Sequence, residues 1–122
     1  MNRDIKFRFW DIQEKIMTTV NFADLCSGRH YIESDCYVMQ YTGIHDNTTE
    51  SNEIYESDNI NFIYKGIEYY GTIKYEGSMF MIGNINDTDS CIPLDDVVTS
   101  YDGVYRINGE VVGTIYDNVE GV

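Results

Sequence analysis

The chain has 122 residues, 43% of them hydrophobic, and a formal net charge of −13 at pH 7. One domain is the default for this length, and the hydrophobic content excludes a disordered chain. Residues 1–20 hold four basic and three acidic side chains, whereas residues 21–122 hold four basic and eighteen acidic ones. Such a surface repels phosphate backbones, so we expect no direct binding of DNA or RNA. It does not exclude a basic protein partner, because opposite charges speed encounter, but solubility alone is the favoured explanation of the charge.

We expect a cytoplasmic protein that does not enter a membrane. No stretch approaches the roughly 20 apolar residues that a spanning helix needs. Residues 1–6 are polar and alternating, unlike the apolar core of a secretory signal. Three cysteines, an odd number, fit a reducing compartment.

The first twenty residues predict a β-hairpin. Apolar and polar side chains alternate from Ile5 to Phe9, which is the period of a strand, and residues 11–15 form a polar turn before β-forming residues resume. Asn21 is placed to begin one short helical turn. Residues 36–39 predict a short strand, and residues 42–52 predict a mobile surface loop because they are polar and rich in turn formers.

Residues 60–82 give the strongest strand signal, with tight turns at Lys65-Gly66 and around Gly77. Asn108-Gly109 is the favoured dipeptide of a two-residue hairpin, so we expect residues 104–107 to pair with residues 110–116. Several short strands at close spacing favour a small barrel over βαβ units. The predicted fold is therefore mainly β, a small β-barrel with an N-terminal hairpin segment and little helix.

Cysteine and histidine do not form a convincing catalytic or metal-binding pattern. Cys26, His30 and Cys36 lie near one another, but a zinc site needs about four ligands with paired spacing. A nucleophilic trio of Cys26, His30 and Glu33 can be drawn, yet a chain of this size offers such a trio by chance. We expect no enzyme activity, no metal and no cofactor.

Acidic residues cluster at Glu53, Glu56 and Asp58, and carboxylate clusters can hold Mg²⁺ or Ca²⁺. With 21 acids some clustering is expected, and a strand would place Glu53 and Glu56 on opposite faces. A structural role is therefore favoured. Asp87 and Asp89 resemble half of a calcium loop without its glycine and distal glutamate.

Aromatic side chains near these acids are candidates for a peptide groove or for the core. We assign Trp10 to the core and leave both readings open for Tyr41 and Tyr55. Tyr41, Tyr55 and the three clustered acids, Glu53, Glu56 and Asp58, together form the predicted interaction surface.

Three segments, taken in order, carry a family resemblance. They are Ile5–Asp11 with Lys15-Ile16-Met17, then Met39–Asp46 followed by Glu53–Ile60, and finally Val111–Asn118. Together they resemble the YopX family of phage and prophage proteins. The resemblance implies one domain over residues 1–122, with an SH3-like barrel over about residues 40–122 and a β segment at residues 1–39 packed on it. It implies no activity.

Ser57 stands where the family usually has glycine. A left-handed backbone at Ser57 would cost about 1 kcal/mol or more.

The family resemblance implies a phage or prophage accessory protein, and therefore the cytoplasm of a bacterial host. We expect a non-enzymatic module that binds a protein partner or associates with itself as a homo-oligomer. The alternative is an acidic DNA mimic that inhibits a host nucleic-acid-binding enzyme. Mimicry requires charges spaced like phosphates on one face of the molecule.

Overall fold

The computed structural model describes residues 5–21, 36–101 and 103–117. Strands hold 64% of these residues, beside two 3-10 turns and no α-helix, so the mainly β prediction is confirmed. The helical turn predicted from Asn21 onward falls on residues outside the described ranges. The strands are β1 (Lys6–Asp11), β2 (Ile16–Asn21), β3 (Cys36–His45), β4 (Glu53–Tyr55), β5 (Asp58–Tyr64), β6 (Ile67–Glu76), β7 (Met79–Gly83), β8 (Ile92–Pro93), β9 (Val98–Tyr101), β10 (Val104–Ile107) and β11 (Gly109–Thr114); the 3-10 turns are Ile85–Asp87 and Leu94–Val97.

The strands form two sheets. The first has the order β2-β1-β3-β10-β9, with β4 also paired to β3, and the second has the order β11-β5-β6-β7-β8. All pairs are antiparallel except β3 with β10, which run parallel where His45 lies opposite Arg106. Neither sheet closes on itself within the described residues, so a closed barrel is not confirmed and the SH3-like arrangement stays a prediction.

The predicted N-terminal hairpin is confirmed by the register of β1 and β2, in which Trp10 lies opposite Met17. The Asp11 carboxylate closes the turn by accepting the backbone N–H groups of Gln13 and Glu14, each at 2.9 Å. The predicted boundary between residues 39 and 40 lies inside β3, which pairs both with β1 and with β4. The hairpin is thus continuous with the rest of the first sheet.

One hydrophobic core joins side chains from both sheets. Alternation along β5 buries Ile60 and Phe62 and exposes Asn61 and Ile63, as the period of a strand requires. The buried members of the core are Ile44, Ile54, Ile60, Phe62, Ile73, Ile82, Ile85, Leu94, Val97 and Ile107. In the part of the chain described here, no helix is long and apolar enough to cross a membrane.

The predicted hairpin at Asn108-Gly109 is wrong. β10 pairs with β9 and β3, whereas β11 pairs with β5, so the chain passes from one sheet to the other at this dipeptide. Neither residue has the positive φ that a type I′ turn requires. Gly109 instead permits close packing, because a Cβ there would lie 2.2 Å from the backbone oxygen of Asn61.

The loop predicted over residues 42–52 is also partly wrong. Residues 42–45 belong to β3, and the loop that follows is anchored by Asp46, whose side chain is fully buried. The Asp46 carboxylate accepts five hydrogen bonds, from the backbone and side chains of Thr48 and Asn52 and from the Val111 N–H, at 2.7–3.3 Å. The composition of this segment did not reveal that one acid would organise it.

Asp46 makes stability depend on pH. Burial alone would raise the pKa of Asp46, but the hydrogen bonds that it accepts outweigh burial and hold the pKa below its ordinary value of 3.8. The stability from this group is fully present above pH 3.8 and is lost as pH falls through the lower folded-state pKa. We expect Asp46→Asn to lower the free energy of unfolding in urea by about 2–3 kcal/mol at neutral pH. The difference from wild type should be smaller at a pH below the folded-state pKa of Asp46.

Asp89→Asn is the control for this measurement, because Asp89 is an exposed acid on another loop and should change the free energy of unfolding little. If Asp46→Asn lowers the free energy of unfolding by the same amount at neutral and acid pH, the stabilisation does not come from the charged form of Asp46.

Ser57 adopts the left-handed backbone that the sequence comparison raised, with φ of 72°. Its N–H donates to the Ile73 carbonyl at 2.8 Å and its carbonyl accepts from the Ile115 N–H at 3.0 Å, so the strained residue ties β6 to the end of β11. The hydroxyl of Ser57 also contacts the Tyr116 hydroxyl.

Two substitutions separate backbone strain from the hydroxyl contact at Ser57. Ser57→Ala keeps the strain and loses the hydroxyl, whereas Ser57→Gly removes both. We therefore expect Ser57→Gly to be more stable than Ser57→Ala by about 1 kcal/mol in chemical denaturation. Equal stabilities for the two variants would mean that the left-handed backbone costs nothing here.

Candidate functional site

The five residues of the predicted interaction surface lie together where β4 turns into β5. Tyr41, Tyr55 and Asp58 are buried, whereas Glu53 and Glu56 are half-buried. Both tyrosines therefore belong to the interior, and their rings lie 5.3 Å apart between centroids. An interaction role for these five residues stays a prediction, whereas their contacts inside the fold are defined by the structure.

A buried ion pair joins the N-terminal hairpin to this cluster. Arg8 projects from β1 and donates from one terminal nitrogen to the Asp58 carboxylate at 2.7 Å and to the Glu56 carbonyl at 2.8 Å. The guanidinium carbon also lies 4.7 Å from the centroid of the Tyr55 ring. Asp58 is 1% exposed, so this pair is shielded from water and from screening by salt.

A second, less buried pair lies beside the first one. Lys6 forms an ion pair with Glu53, and the Tyr55 hydroxyl donates to the other oxygen of that carboxylate at 3.1 Å. The Lys6 ammonium lies 5.2 Å from the centroid of the Tyr41 ring. The two cations of β1 thus pair with one carboxylate from each sheet, Lys6 with Glu53 of β4 and Arg8 with Asp58 of β5.

Burial is the largest influence on the pKa values of two members of this cluster, Asp58 and Tyr55. Burial raises the pKa of Asp58 above its ordinary value, and the Arg8 guanidinium and the Tyr55 N–H oppose that rise. The pKa of the Tyr55 hydroxyl is also raised, by burial first and by the Glu53 carboxylate second. Tyr55 therefore stays a hydrogen-bond donor at neutral pH.

An aromatic stack fixes the far end of the hairpin. The Tyr116 ring, just beyond β11, stacks with both Trp10 and Tyr37, with centroid separations of 5.2 Å and 5.6 Å and interplanar angles of 12° and 16°. Trp10 is half-buried rather than a fully buried core residue, and Tyr37 is 52% exposed. The stack attaches β1 and β3 to the C-terminal end of the second sheet.

A cleft of about 480 Å³ lies between the hairpin and the second sheet, and we name it the hairpin cleft. It includes three of the predicted residues, Glu53, Tyr55 and Asp58. Side chains of β2 and residues of β11 line it together with the ion pair. Its residues are Arg8, Met17, Thr19, Asn52, Glu53, Tyr55, Asp58, Val111, Gly113, Thr114 and Asp117.

Other sequence candidates do not assemble into a site in the described structure. Cys26, His30 and Glu33 lie outside the described residues, and Cys36 is a half-buried free thiol. Asp87 and Asp89 are exposed. Within residues 5–21, 36–101 and 103–117, no group of three His, Cys, Asp or Glu side chains is arranged to hold a metal ion.

Sequence reasoning missed the basic half of the cluster. Alternation alone assigns no partner to Lys6 and Arg8, although two cations at i and i+2 in a chain with 18 acids after residue 20 are a signal for an acidic counterpart. The role of Tyr116 had no local signal, because its partners are remote in sequence.

Removal of Arg8 tests the ion pair. Arg8→Met keeps much of the side-chain volume but leaves the Asp58 carboxylate buried without its counter-charge. We expect a loss of about 3–5 kcal/mol in the free energy of unfolding at neutral pH. The loss should shrink as pH falls, because the pKa of the unpaired Asp58 rises further in the folded state, which then takes up a proton that the unfolded state lacks.

Lys6→Met is the matched control, since it removes the other cation of β1 from a half-exposed pair and should cost no more than about 1 kcal/mol. If Arg8→Met and Lys6→Met lower the free energy of unfolding by similar amounts, the Arg8–Asp58 pair is no more important to stability than the half-exposed Lys6–Glu53 pair.

Comparisons with known proteins agree with this architecture. The family model described as YopX protein matches residues 18–121. The fold is similar to the crystal structure of protein EF1440 from Enterococcus faecalis, with a TM-score of 0.55, 19% sequence identity and 98% of each chain covered. Among curated proteins none matches the chain. Because the family model covers nearly the whole sequence, the chain belongs to the YopX family.

Proposed function

We propose that this protein is a non-enzymatic phage or prophage accessory module that binds a basic protein partner in the bacterial cytoplasm. The partner contributes an extended segment, which lies in the hairpin cleft. The proposal retains the SH3-like arrangement of residues 40–122 that the family resemblance implies. The observation that carries it is the meeting of two sheet edges in one cleft.

Edge strands of both sheets line the hairpin cleft. Among the described residues, β2 pairs only with β1, so one side of its backbone is unpaired by another strand, whereas the outer side of β11 donates the Val111 and Thr114 N–H groups to Asp46 and Asp117. β2 reads Ile-Met-Thr-Thr-Val-Asn, without the charges or proline that commonly protect an edge. The edge of β2 supports recognition of an extended segment by strand addition.

The charge of the cleft favours a basic partner. Glu53, Asp58 and Asp117 line it, and Arg8 is the single basic lining residue in the described chain. Arg8 is already paired with Asp58. The net charge of −13 extends the same preference to longer range and would raise the encounter rate with a positively charged surface.

The carboxylates of the cleft have structural partners, which supports a binding role over a catalytic one. Glu53 is engaged by Lys6 and Tyr55, and Asp58 by Arg8 and the Tyr55 N–H at 2.8 Å. Asp117 accepts the backbone and hydroxyl groups of Thr114 at 2.9 Å and 3.0 Å. A general acid or base must instead reach the proton that it transfers.

Neighbouring threonines of β2 provide the test. Thr19 lines the cleft, and Thr18 is exposed on the opposite face of the same strand. Tagged wild type, Thr19→Lys and Thr18→Lys are used for capture from lysate of phage-carrying bacteria, with quantitative mass spectrometry. We expect Thr19→Lys to reduce recovery of one basic protein about tenfold, through steric block and charge repulsion, and Thr18→Lys to retain it.

Thermal unfolding of both variants verifies that they are folded, and sizing of the pure proteins detects self-association through the same cleft. Equal recovery with the two lysine variants, or recovery of no protein above background, would contradict the proposal. If the captured protein is a host enzyme that binds nucleic acid, and if Thr19→Lys does not reduce its recovery, the result would favour DNA mimicry.

A further inference from the structure

A second cleft, of about 520 Å³, shares no lining residue with the hairpin cleft. Four asparagines line it, and we name it the amide cleft: Asn47 from the loop after β3, Asn61 from β5, Asn86 from the 3-10 turn after β7, and Asn108 from the junction of β10 and β11. Its volume lies within the range of ordinary small-ligand sites.

The carboxamides are positioned by the fold while part of their hydrogen-bonding capacity is unused. Asn47 donates to the Asn108 side-chain oxygen at 2.8 Å, and Asn86 accepts the Tyr70 N–H at 3.0 Å. These contacts leave an acceptor on Asn47 and NH₂ groups on Asn86 and Asn108 without partners among the described residues. The exposed Asn61 side chain makes no hydrogen bond to them.

The turn that carries Asn86 holds it at some conformational cost. Asn84, Asn86 and Asp87 have φ of 53°, 51° and 62°, which places three non-glycine residues in the left-handed region. Asn and Asp tolerate this region best, but each still lies off the preferred backbone. The fold thus maintains a strained turn whose middle side chain lines the amide cleft.

The remaining lining groups select the ligand class. Glu68 and Glu110 add two carboxylates, and no Lys, Arg or His from the described chain lines the cleft, which disfavours phosphates and other anions. Tyr70 lies opposite Asn61 on the same face of the sheet and adds a half-buried ring, whereas Tyr69 projects to the other face and packs against Phe62 with centroids 5.6 Å apart. Carboxamides and carboxylates pair with hydroxyl groups, and an aromatic ring packs against apolar C–H faces.

We propose that the amide cleft binds a neutral saccharide of a few sugar units. Its hydroxyl groups accept from the Asn86 and Asn108 amides and donate to Glu68 and Glu110. The Tyr70 ring contacts the C–H face of one sugar.

Backbone amide NMR signals of the full chain, titrated separately with maltotriose, cellotriose and chitotriose, test the proposal. At least one sugar should shift the signals of Asn61, Tyr70 and Asn86 saturably, with a Kd in the millimolar range, and leave Thr19 in the hairpin cleft unchanged. Glu68→Gln should weaken that binding about tenfold, because a charge-assisted acceptor is lost. Glu76→Gln, at another exposed glutamate of the same strand that does not line the cleft, should leave the binding unchanged.

Absence of saturable shifts with all three sugars up to about 10 mM would overturn the proposal, because millimolar binding would show at that concentration. The tripeptide Gly-Lys-Gly is the competing probe. If it shifts the cleft signals while no sugar does, the carboxylates recognise a cation and the saccharide assignment is wrong.

Discussion

The ion pair between Arg8 and Asp58 is the constraint on which the docking of the N-terminal hairpin depends. Arg8 is only 8% exposed, so its guanidinium needs a counter-charge, and Asp58 supplies it from a strand 50 residues away. A slip of β1 by one residue would turn Arg8 to the opposite face and leave Asp58 buried alone. The pair therefore fixes register as well as contact. Its geometry is incomplete, because the Arg8 Nε–H is buried without an acceptor among the described residues, which lowers the net stabilisation.

Two buried acids organise this acidic chain in different ways. Asp46 is held in its charged form by dipolar groups alone, whereas Asp58 faces a full positive charge and is still dominated by burial. Both lie at the margins of strands, after β3 and at the start of β5, and both reach across to other elements. Asp46 accepts from Val111 on β11, and Asp58 accepts from Arg8 on β1. The two sheets are thus connected by carboxylates at their rims in addition to the shared hydrophobic core.

Local patterns predicted the elements, and long-range charge pairing decided their assembly. The alternation around Ile60 and the polar turn at Asp11 gave the β5–β7 meander and the first hairpin, because strand period and turn chemistry are local. The hairpin predicted from Asn108-Gly109 was wrong, because Gly109 is required by close packing on β5 rather than by the geometry of a turn. Acid clustering located part of the candidate site, but its arginine and its two edge strands could not be found without knowing which strands are neighbours.

Stability and recognition compete for the same groups in the hairpin cleft. Because Glu53 and Asp58 already neutralise Lys6 and Arg8, a partner that took either carboxylate would release a cation of β1 and weaken the docking of the hairpin. Specific binding is therefore least costly where it uses the unpaired edge of β2. The amide cleft is free of this conflict, since its carboxamides are held by neutral hydrogen bonds and no ion pair among the described residues would have to open. The two clefts are still joined through Asp46, which accepts hydrogen bonds from Thr48 of the amide cleft and from Asn52 and Val111 of the hairpin cleft.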